Sequence, residues 1–213
     1  MARGVFITFE GGEGTGKSTQ ARRLAERLTA AGRVAVLTRE PGGSPGAEAL
    51  RALLVDGPPD RWSPTTETLL MYAARRDHIE RTIAPALERG EVVICDRFLD
   101  STRAYQGAAG GASTALIEAL EGAVAGETRP DLTLVLDMPS EAGLARAIGR
   151  RAGEGRFEAK GEAFHTRLRE AYLEIAAREP GRCVVVLAEG DVEAVAARVW
   201  DAVQSRLKDI VHG

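Results

Sequence analysis

Residues 11–18 read Gly-Gly-Glu-Gly-Thr-Gly-Lys-Ser and directly follow an apolar run at 5–9. The order of glycine, four residues, glycine, lysine and a hydroxyl residue is typical of a phosphate-binding loop. Glycines let successive backbone N–H groups face phosphate oxygens, and a helix that starts after the loop adds the positive end of its dipole. This stretch therefore predicts a strand, a tight turn and a helix that together bind a nucleoside triphosphate.

The side chains at the end of the loop have separate predicted roles. Lys17 is expected to reach the β- and γ-phosphates, and the Ser18 hydroxyl is expected to bind Mg²⁺. The predicted ATP-binding residues are Gly11, Gly12, Glu13, Gly14, Thr15, Gly16, Lys17, Ser18 and Thr19.

Composition limits the remaining possibilities. The 213-residue chain has 28 Lys and Arg against 31 Asp and Glu, and a net charge of −3 argues against general nucleic-acid binding. We expect one domain over 1–213, because no linker-like or low-complexity stretch divides the chain. No apolar stretch has membrane-spanning length, no signal peptide is evident, and Cys95 and Cys183 form no CxxC pair. We therefore expect free thiols in a reducing cytoplasm and no membrane partner.

Five apolar segments alternate with helical patterns along the chain, which predicts an α/β fold with a buried parallel sheet. The predicted strands are 5–9, 34–38, 92–95, 132–136 and 184–187. Helices are predicted from about 18 to 32, at 47–55, at 64–90 with a break at Pro85, and at 113–124, 141–151, 163–178 and 192–207, with a loop at 152–162. Ligands are expected at the carboxyl ends of the strands.

Four more motifs follow the loop: Arg39-Glu-Pro-Gly-Gly43, Asp96-Arg97, Tyr105-Gln-Gly107 and Arg129-Pro-Asp-Leu-Thr-Leu-Val-Leu-Asp137. In this order and spacing they resemble the bacterial thymidylate kinase family over essentially the whole chain. The resemblance implies a three-layer P-loop nucleoside monophosphate kinase fold, with a five-stranded parallel sheet and a mobile lid at about 146–160. It also implies transfer of the ATP γ-phosphoryl group to dTMP, dependence on Mg²⁺, and usually a homodimer.

Such a transfer needs positive charge more than a general base, because the attacking phosphate oxygen is already ionised at neutral pH. The resemblance places Arg97 on the acceptor phosphate, and Arg51 and Arg39 are further candidates. Surface ion pairs are the alternative for each, since the chain has 25 arginines against three lysines. Asp96 either holds Mg²⁺ through water or orients Arg97, and the sequence leaves both roles open.

The loop also indicates where other charge must come from. Eukaryotic relatives carry at the position of Gly14 an arginine that contacts the transferred group, whereas in bacterial relatives the lid supplies this charge. We therefore predict Arg151 and Arg156 as closing donors, with Arg146 and Arg150 next. The alternative is a solvated helix end with arginines favoured by the dipole.

Glu13 is unusual in a phosphate-binding loop, because a carboxylate beside the γ-phosphate is repulsive unless it points away. It is therefore expected to face the acceptor, where the resemblance implies that it accepts from the 3′-hydroxyl of the sugar. Bracing of the loop is the alternative role.

The resemblance also assigns the residues around the base. It implies that Arg75 donates to thymine O4, that Thr102 and Gln106 lie near the base, and that Tyr105 fills the space at C2′ and excludes ribonucleotides. Met71 stands where the family normally stacks a phenylalanine on the base, so it is interpreted either as a base contact or as core.

Two other functions stay open from the sequence. One is a kinase for another monophosphate, such as AMP or dCMP, and the other is a nucleotide-dependent switch that transfers nothing. A chain without asparagine cannot carry the Asn-Lys-x-Asp motif for guanine. The isolated histidines His78, His165 and His212 are interpreted as surface or capping residues.

Overall fold

The computed structural model describes residues 3–149 and 155–208, within which five strands form one all-parallel sheet. The strands are β1 (Val5–Glu10), β2 (Ala35–Arg39), β3 (Val92–Asp96), β4 (Leu132–Asp137) and β5 (Cys183–Leu187). Their order across the sheet is β2-β3-β1-β4-β5, so β1 is the central strand. The predicted α/β class and five-stranded parallel sheet are confirmed.

The helices follow the strands in alternation, with two π-helical segments at Ile79–Ile83 and Arg103–Ala108. The α-helices among the described residues are α1 (Lys17–Ala30), α2 (Pro45–Val55), α3 (Pro64–His78), α4 (Ala84–Glu88), α5 (Leu99–Thr102), α6 (Thr114–Val124), α7 (Ser140–Gly149), α8 (Gly155–Glu158), α9 (Glu162–Arg178) and α10 (Val192–Arg206).

The three inner strands β1, β3 and β4 are buried on both faces, which explains why they are mostly apolar rather than alternating. Ile7 and Phe9 of β1 pack with α1 and α10 on one face. Phe6, which points the opposite way on the same strand, packs on the other face against a cluster that includes Ile83 and Phe98. Each of these side chains is fully buried, and burial of one such side chain contributes roughly 1.5–3 kcal/mol.

The long helix predicted at 64–90 begins as expected and breaks earlier than expected. Ser63 caps it by accepting from the Thr66 N–H at 3.2 Å, with Pro64 in the first position. Pro85 has no N–H and its ring clashes with the carbonyl four residues before it, so the chain widens into a π-helical segment ahead of the proline. The predicted break at Pro85 therefore lies at Ile79–Ile83.

Two other expectations are wrong. Within the predicted loop at 152–162, residues Gly155–Glu158 form the short helix α8, because Phe157 is buried in an aromatic cluster with Tyr105. His78 and His165 are buried rather than on the surface. His212 lies outside the described residues.

The carboxyl ends of β1, β3 and β4 lie side by side at one edge of the sheet, as parallel strands require. The loops that follow them carry the motifs singled out in the sequence. Among the helices in the described ranges, none combines the length and apolarity needed to cross a membrane.

Candidate active site

The phosphate-binding loop connects the central strand β1 to α1, as predicted. Its backbone lies directly against α7: a Cβ on Gly14, at φ +69°, would stand 1.9 Å from the Gly143 carbonyl oxygen. Only glycine fits position 14 without displacing the helix.

Lys17, the first residue of α1, is folded back into the loop. Its Nζ donates to the Gly12 carbonyl at 2.7 Å and approaches the Thr15 hydroxyl at 3.5 Å. Burial lowers the pKa of Lys17 to about 8, with Arg97 acting in the same direction and Glu13 opposing it. Neutral oxygens only partly compensate a buried ammonium, so the charged form of Lys17 gains strongly from anionic phosphate oxygens.

Arg97 connects the loop to the neighbouring pocket. It follows β3 with φ +72°, a conformation uncommon outside glycine, and its N–H donates to the Phe9 carbonyl of β1 at 2.9 Å. The turned side chain donates to the Gly11 carbonyl at 3.1 Å, to Glu13 at 3.0 Å and to the Tyr105 hydroxyl at 2.9 Å. A strained backbone held by this many contacts is typical of a functional position.

Glu13 lies on the side of the loop that faces this pocket. It accepts from Arg97 and, at 2.5 Å, from the Tyr105 hydroxyl. Burial opposes ionisation of Glu13, but the positive charges of Arg97 and Lys17 outweigh it and lower its pKa to about 2. Glu13 is therefore an acceptor for hydrogen bonds at neutral pH.

An open pocket of about 350 Å³ adjoins the loop at the ends of β2 and β3. All the residues predicted around the base and sugar line it, together with Glu13 and Arg97. These residues are Met71, Arg75, Thr102, Tyr105 and Gln106. The structure thus brings this part of the predicted set together, and Met71 both lines the pocket and packs against the aromatic cluster of Tyr105.

At the far end of the pocket, two side chains are fixed by buried carboxylates. Arg75 donates through Nε to Glu40 at 2.8 Å and through Nη2 to Thr102 at 3.1 Å, while its buried Nη1 has no hydrogen-bond partner in 3–149 or 155–208. Gln106 donates through Nε2 to Glu67 at 2.7 Å. The pocket therefore offers an N–H donor on Arg75 and an amide oxygen on Gln106.

Ser18 of α1 and Asp96 of β3 form a candidate cation site where these two elements meet. The Ser18 hydroxyl donates to one oxygen of Asp96, and the other oxygen, Oδ1, is buried with no hydrogen-bond partner among the residues that the structure covers. A hydroxyl beside an underused carboxylate is a donor set of the kind that Mg²⁺ takes up together with phosphates and water. Ser18 and Asp96 therefore fit the predicted cation.

Arg39 and Arg51, the two other residues predicted to contact the acceptor phosphate, do not line the pocket. Arg39 is exposed and forms an ion pair with Glu48 at 3.3 Å. Arg51 donates to the carbonyl of Pro41, a lining residue, at 2.6 Å. A phosphate contact stays a prediction for both.

The arginines of the predicted lid are placed differently from each other. Arg156 is buried beside α3, paired with Glu67 at 2.5 Å and bonded to the carbonyls of Leu54, Pro58 and Pro59, so the structure does not bring it to the phosphate-binding loop. Arg146 donates to the Ala188 carbonyl at 3.3 Å. Arg150 and Arg151 lie outside the described residues.

The site also contains residues that were not predicted from the sequence. Phe157 lines the pocket and its ring lies 5.5 Å from that of Tyr105. Glu10 accepts from the Phe98 N–H at 2.8 Å and from the Ser101 hydroxyl at 2.6 Å, which fixes the turn after β3. Burial, reinforced by Asp100, raises the pKa of Glu10 to about 7. A carboxylate at the end of a buried apolar strand was the available signal for Glu10.

The strand end Asp137, for which sequence offered no mechanism, forms a bidentate pair with Arg169 of α9 at 2.7 and 2.9 Å. This pair ties α9 to β4 beside the phosphate-binding loop. Its role is structural, because it holds together two elements that flank the site.

Taken together, a phosphate-binding loop on the central strand and an adjoining pocket that shares Arg97 and Glu13 with it define a P-loop phosphotransferase for a small phosphorylated acceptor. The family model described as thymidylate kinase matches residues 9–199. The chain therefore belongs to the thymidylate kinase family.

Individual relatives agree with this placement. The chain is 66% identical to a thymidylate kinase of Caulobacter vibrioides over 97% of its own length and 99% of the relative. It is 55% identical to one of Bradyrhizobium diazoefficiens, over 96% and 91% of the two chains. Among solved structures, a thymidylate kinase from Ehrlichia chaffeensis superposes with a TM-score of 0.76 at 35% identity, covering 95% of this chain and 99% of that one.

Proposed function

We propose that this chain is a dTMP kinase that transfers the γ-phosphoryl group of ATP to dTMP and releases dTDP and ADP. The observation that carries the proposal is the position of Arg97, which contacts the Gly11 carbonyl of the phosphate-binding loop and Glu13 and Tyr105 of the acceptor pocket. One guanidinium group thus stands between the two sites that the two phosphates require.

The reaction needs alignment and charge compensation. The acceptor phosphate of dTMP attacks the γ-phosphorus with an oxygen that is already ionised, so no residue has to remove a proton first. Lys17 and Arg97 offset the repulsion between the two anions and the charge that develops during transfer. Glu13, held ionised, accepts from the 3′-hydroxyl and keeps the sugar on the acceptor side of the loop.

Mg²⁺ is the proposed cofactor, held by Ser18 and Asp96 with phosphate oxygens. When bound, the ion neutralises charge on the β- and γ-phosphates of ATP. Oδ1 of Asp96 is buried and has no hydrogen-bond partner within the described ranges. This supports a role in holding Mg²⁺ over a role limited to orienting Arg97.

Base selection follows from the buried donors and acceptors of the pocket. Arg75 donates to O4 of thymine, which disfavours an exocyclic amino group there and so disfavours dCMP. Thr102 and Gln106 contact the same edge, Met71 lies on the ring face, and Tyr105 occupies the space of a 2′-hydroxyl.

Arginines of the predicted lid are proposed to supply further positive charge to the ATP phosphates. Arg151 is the first candidate to close over the ATP phosphates, with Arg146 and Arg150 next to it. Arg156 joins them only by leaving its buried pair with Glu67. Arg39 and Arg51 remain proposed outer contacts of the acceptor phosphate.

The chain is also proposed to act as a homodimer in the cytoplasm. Leu53 of α2 and Leu69 of α3 are exposed on two helices that pack together, and we propose that they lie in the subunit contact. Cys95 and Cys183 are free and buried, as suits a reducing compartment. Light scattering on a size-exclusion column tests the dimer, and a monomeric mass at micromolar concentration would contradict it.

A substrate panel tests the activity. The purified protein is given ATP and Mg²⁺ with dTMP, dUMP, dCMP or AMP, and the diphosphate product is measured by anion-exchange chromatography. We expect dTMP to give the highest kcat/KM. Preference for AMP or dCMP contradicts the substrate, and ATP binding with no diphosphate from any acceptor indicates a switch.

A pair of arginine variants tests the role of Arg97. Replacing Arg97 by Met is expected to lower kcat/KM for dTMP by roughly 100-fold or more, since a buried charge facing the reacting groups is lost. Arg89→Met is the matched control, because Arg89 is an exposed arginine that pairs with Glu91. Equal activity of the two variants contradicts the proposal.

A further inference from the structure

A buried series of side chains leads from β2 to the arginine at the base end of the pocket. The Thr38 hydroxyl lies 2.7 Å from Nε2 of His78, and Nδ1 of His78 lies 3.0 Å from Oε1 of Glu40. The other oxygen of Glu40 accepts from Nε of Arg75 at 2.8 Å. Glu40, His78 and Arg75 are buried, so water does not compete for the two bonds that join them.

This series fixes the position of the guanidinium group. Glu40 holds Nε of Arg75, whereas Thr102 and the Phe98 carbonyl hold Nη2 at 3.1 and 2.9 Å. Nη1 is left with no hydrogen-bond partner in the part of the chain that is described. Because the guanidinium is planar, fixing two of its nitrogens also fixes the direction of the third.

His78 in turn fixes Glu40. An ionised carboxylate only accepts hydrogen bonds, so Nδ1 of His78 carries the proton toward Glu40 and, in the neutral ring, Nε2 accepts from Thr38. The Gly43 turn closes over this contact, since a Cβ on Gly43 would stand 2.4 Å from Nε2 of His78 and 2.4 Å from the Thr38 hydroxyl. The imidazole is therefore held on both sides and covered.

We propose that Glu40 and His78 are positioning residues for base recognition: they aim Nη1 of Arg75 at the carbonyl oxygen on C4 of the pyrimidine. Neither residue of this pair donates to the base itself. The inference rests on the proposed function, because it requires that Arg75 binds the base of the acceptor.

A purely structural ion pair makes a different prediction. If the series only stabilised the fold, damage to it would weaken all acceptors equally. If it aims Arg75, damage weakens acceptors that have the C4 carbonyl and spares an analogue that lacks it. The selectivity between two such acceptors therefore separates the two roles.

The experiment measures kcat/KM for dTMP and for the monophosphate of its 4-thio analogue, which keeps the N3–H but carries at C4 a sulfur, a much weaker hydrogen-bond acceptor than oxygen. The wild-type protein is expected to prefer dTMP by roughly 10- to 100-fold, the range of a hydrogen bond from a charged donor. Arg75→Met removes the donor and should bring the preference close to one. Arg76→Met is the matched control, because Arg76 is the next residue of α3 and is exposed and paired with Glu80.

Two histidine variants then test the positioning. His78→Leu removes the proton offered to Glu40 and should lower the preference several-fold, mainly through a higher KM for dTMP. His78→Asn keeps an N–H donor near the position of Nδ1 and should retain much of the preference for dTMP. Thermal unfolding and ATP affinity are measured on the same samples. If His78→Leu fails to fold, Thr38→Val, which removes only the outermost hydroxyl, should shift the preference in the same direction by a smaller factor.

The outcomes are distinguishable. Equal loss for both acceptors in His78→Leu or Thr38→Val, with the preference unchanged, overturns the positioning role and leaves Arg75 in place. An unchanged preference in Arg75→Met overturns the proposed base contact itself. A lowered preference in both arginine and histidine variants supports the inference.

Discussion

Lys17 is expected to make ATP binding depend on pH in a range where few other groups titrate. Burial lowers its pKa to about 8 in the free protein, and bound triphosphate favours the charged form. Affinity is therefore fully present well below pH 8 and is lost as the pH rises through 8, because the neutral amine must then take up a proton on binding. With a pKa of about 8, the charged fraction of Lys17 falls from about three quarters at pH 7.5 to about 3% at pH 9.5.

This change corresponds to a weakening of roughly 25-fold, or about 1.9 kcal/mol. Isothermal titration of ATP and Mg²⁺ without an acceptor measures it directly. Lys17→Arg is the control, since a guanidinium stays charged across this range, and its affinity should be nearly flat. The chain has three lysines, so the pKa of Lys17 can also be followed by NMR on selectively labelled side chains. A flat wild-type profile, or an equal slope in Lys17→Arg, would refute the reasoning.

Three further changes test other parts of the site. Asp96→Asn should raise the Mg²⁺ concentration for half-maximal activity roughly tenfold, and an unchanged Mg²⁺ titration would limit Asp96 to orienting Arg97. Arg156→Met removes the close cation of the buried Glu67, which keeps only the longer pair with Lys160 at 3.9 Å, and should lower the free energy of unfolding by about 3 kcal/mol, measured in urea; an unchanged midpoint would contradict the pairing. Tyr105→Gly should reduce discrimination against UMP relative to dUMP roughly tenfold, and unaltered sugar preference would count against its steric role.

Much of the architecture was predictable because its signals are local. Buried parallel strands read as short apolar runs, and the loop after β1 carries its own glycine and lysine pattern. Five residues that the family resemblance indicated around the base and sugar do line one pocket, whereas Arg39 and Arg51 do not, and the roles of all of them stay predictions. The π-helical segment before Pro85 was not predicted, because the proline indicates a disruption without stating how the chain absorbs it.

The ion-pair and hydrogen-bond partners of individual side chains were harder to predict from the sequence than the strands and helices. Arg156 was expected at the ATP phosphates, yet Glu67 and three carbonyls hold it beside α3, a set of partners brought together only by the tertiary fold. His78 looked like an isolated surface residue because its partner, Glu40, is 38 positions away in the sequence. Long-range pairing of this kind leaves no periodicity to detect.

The backbone contact between the phosphate-binding loop and α7 limits how this site can evolve. A Cβ on Gly14 would meet the Gly143 carbonyl, and one on Gly143 would stand 2.4 Å from the Glu13 carbonyl, so the two glycines interlock. No substitution can place an arginine at position 14 without displacing the start of α7. A side chain of any kind at position 14 therefore requires α7 to move away from the loop, so the sequence of the loop and the placement of this helix can change only together.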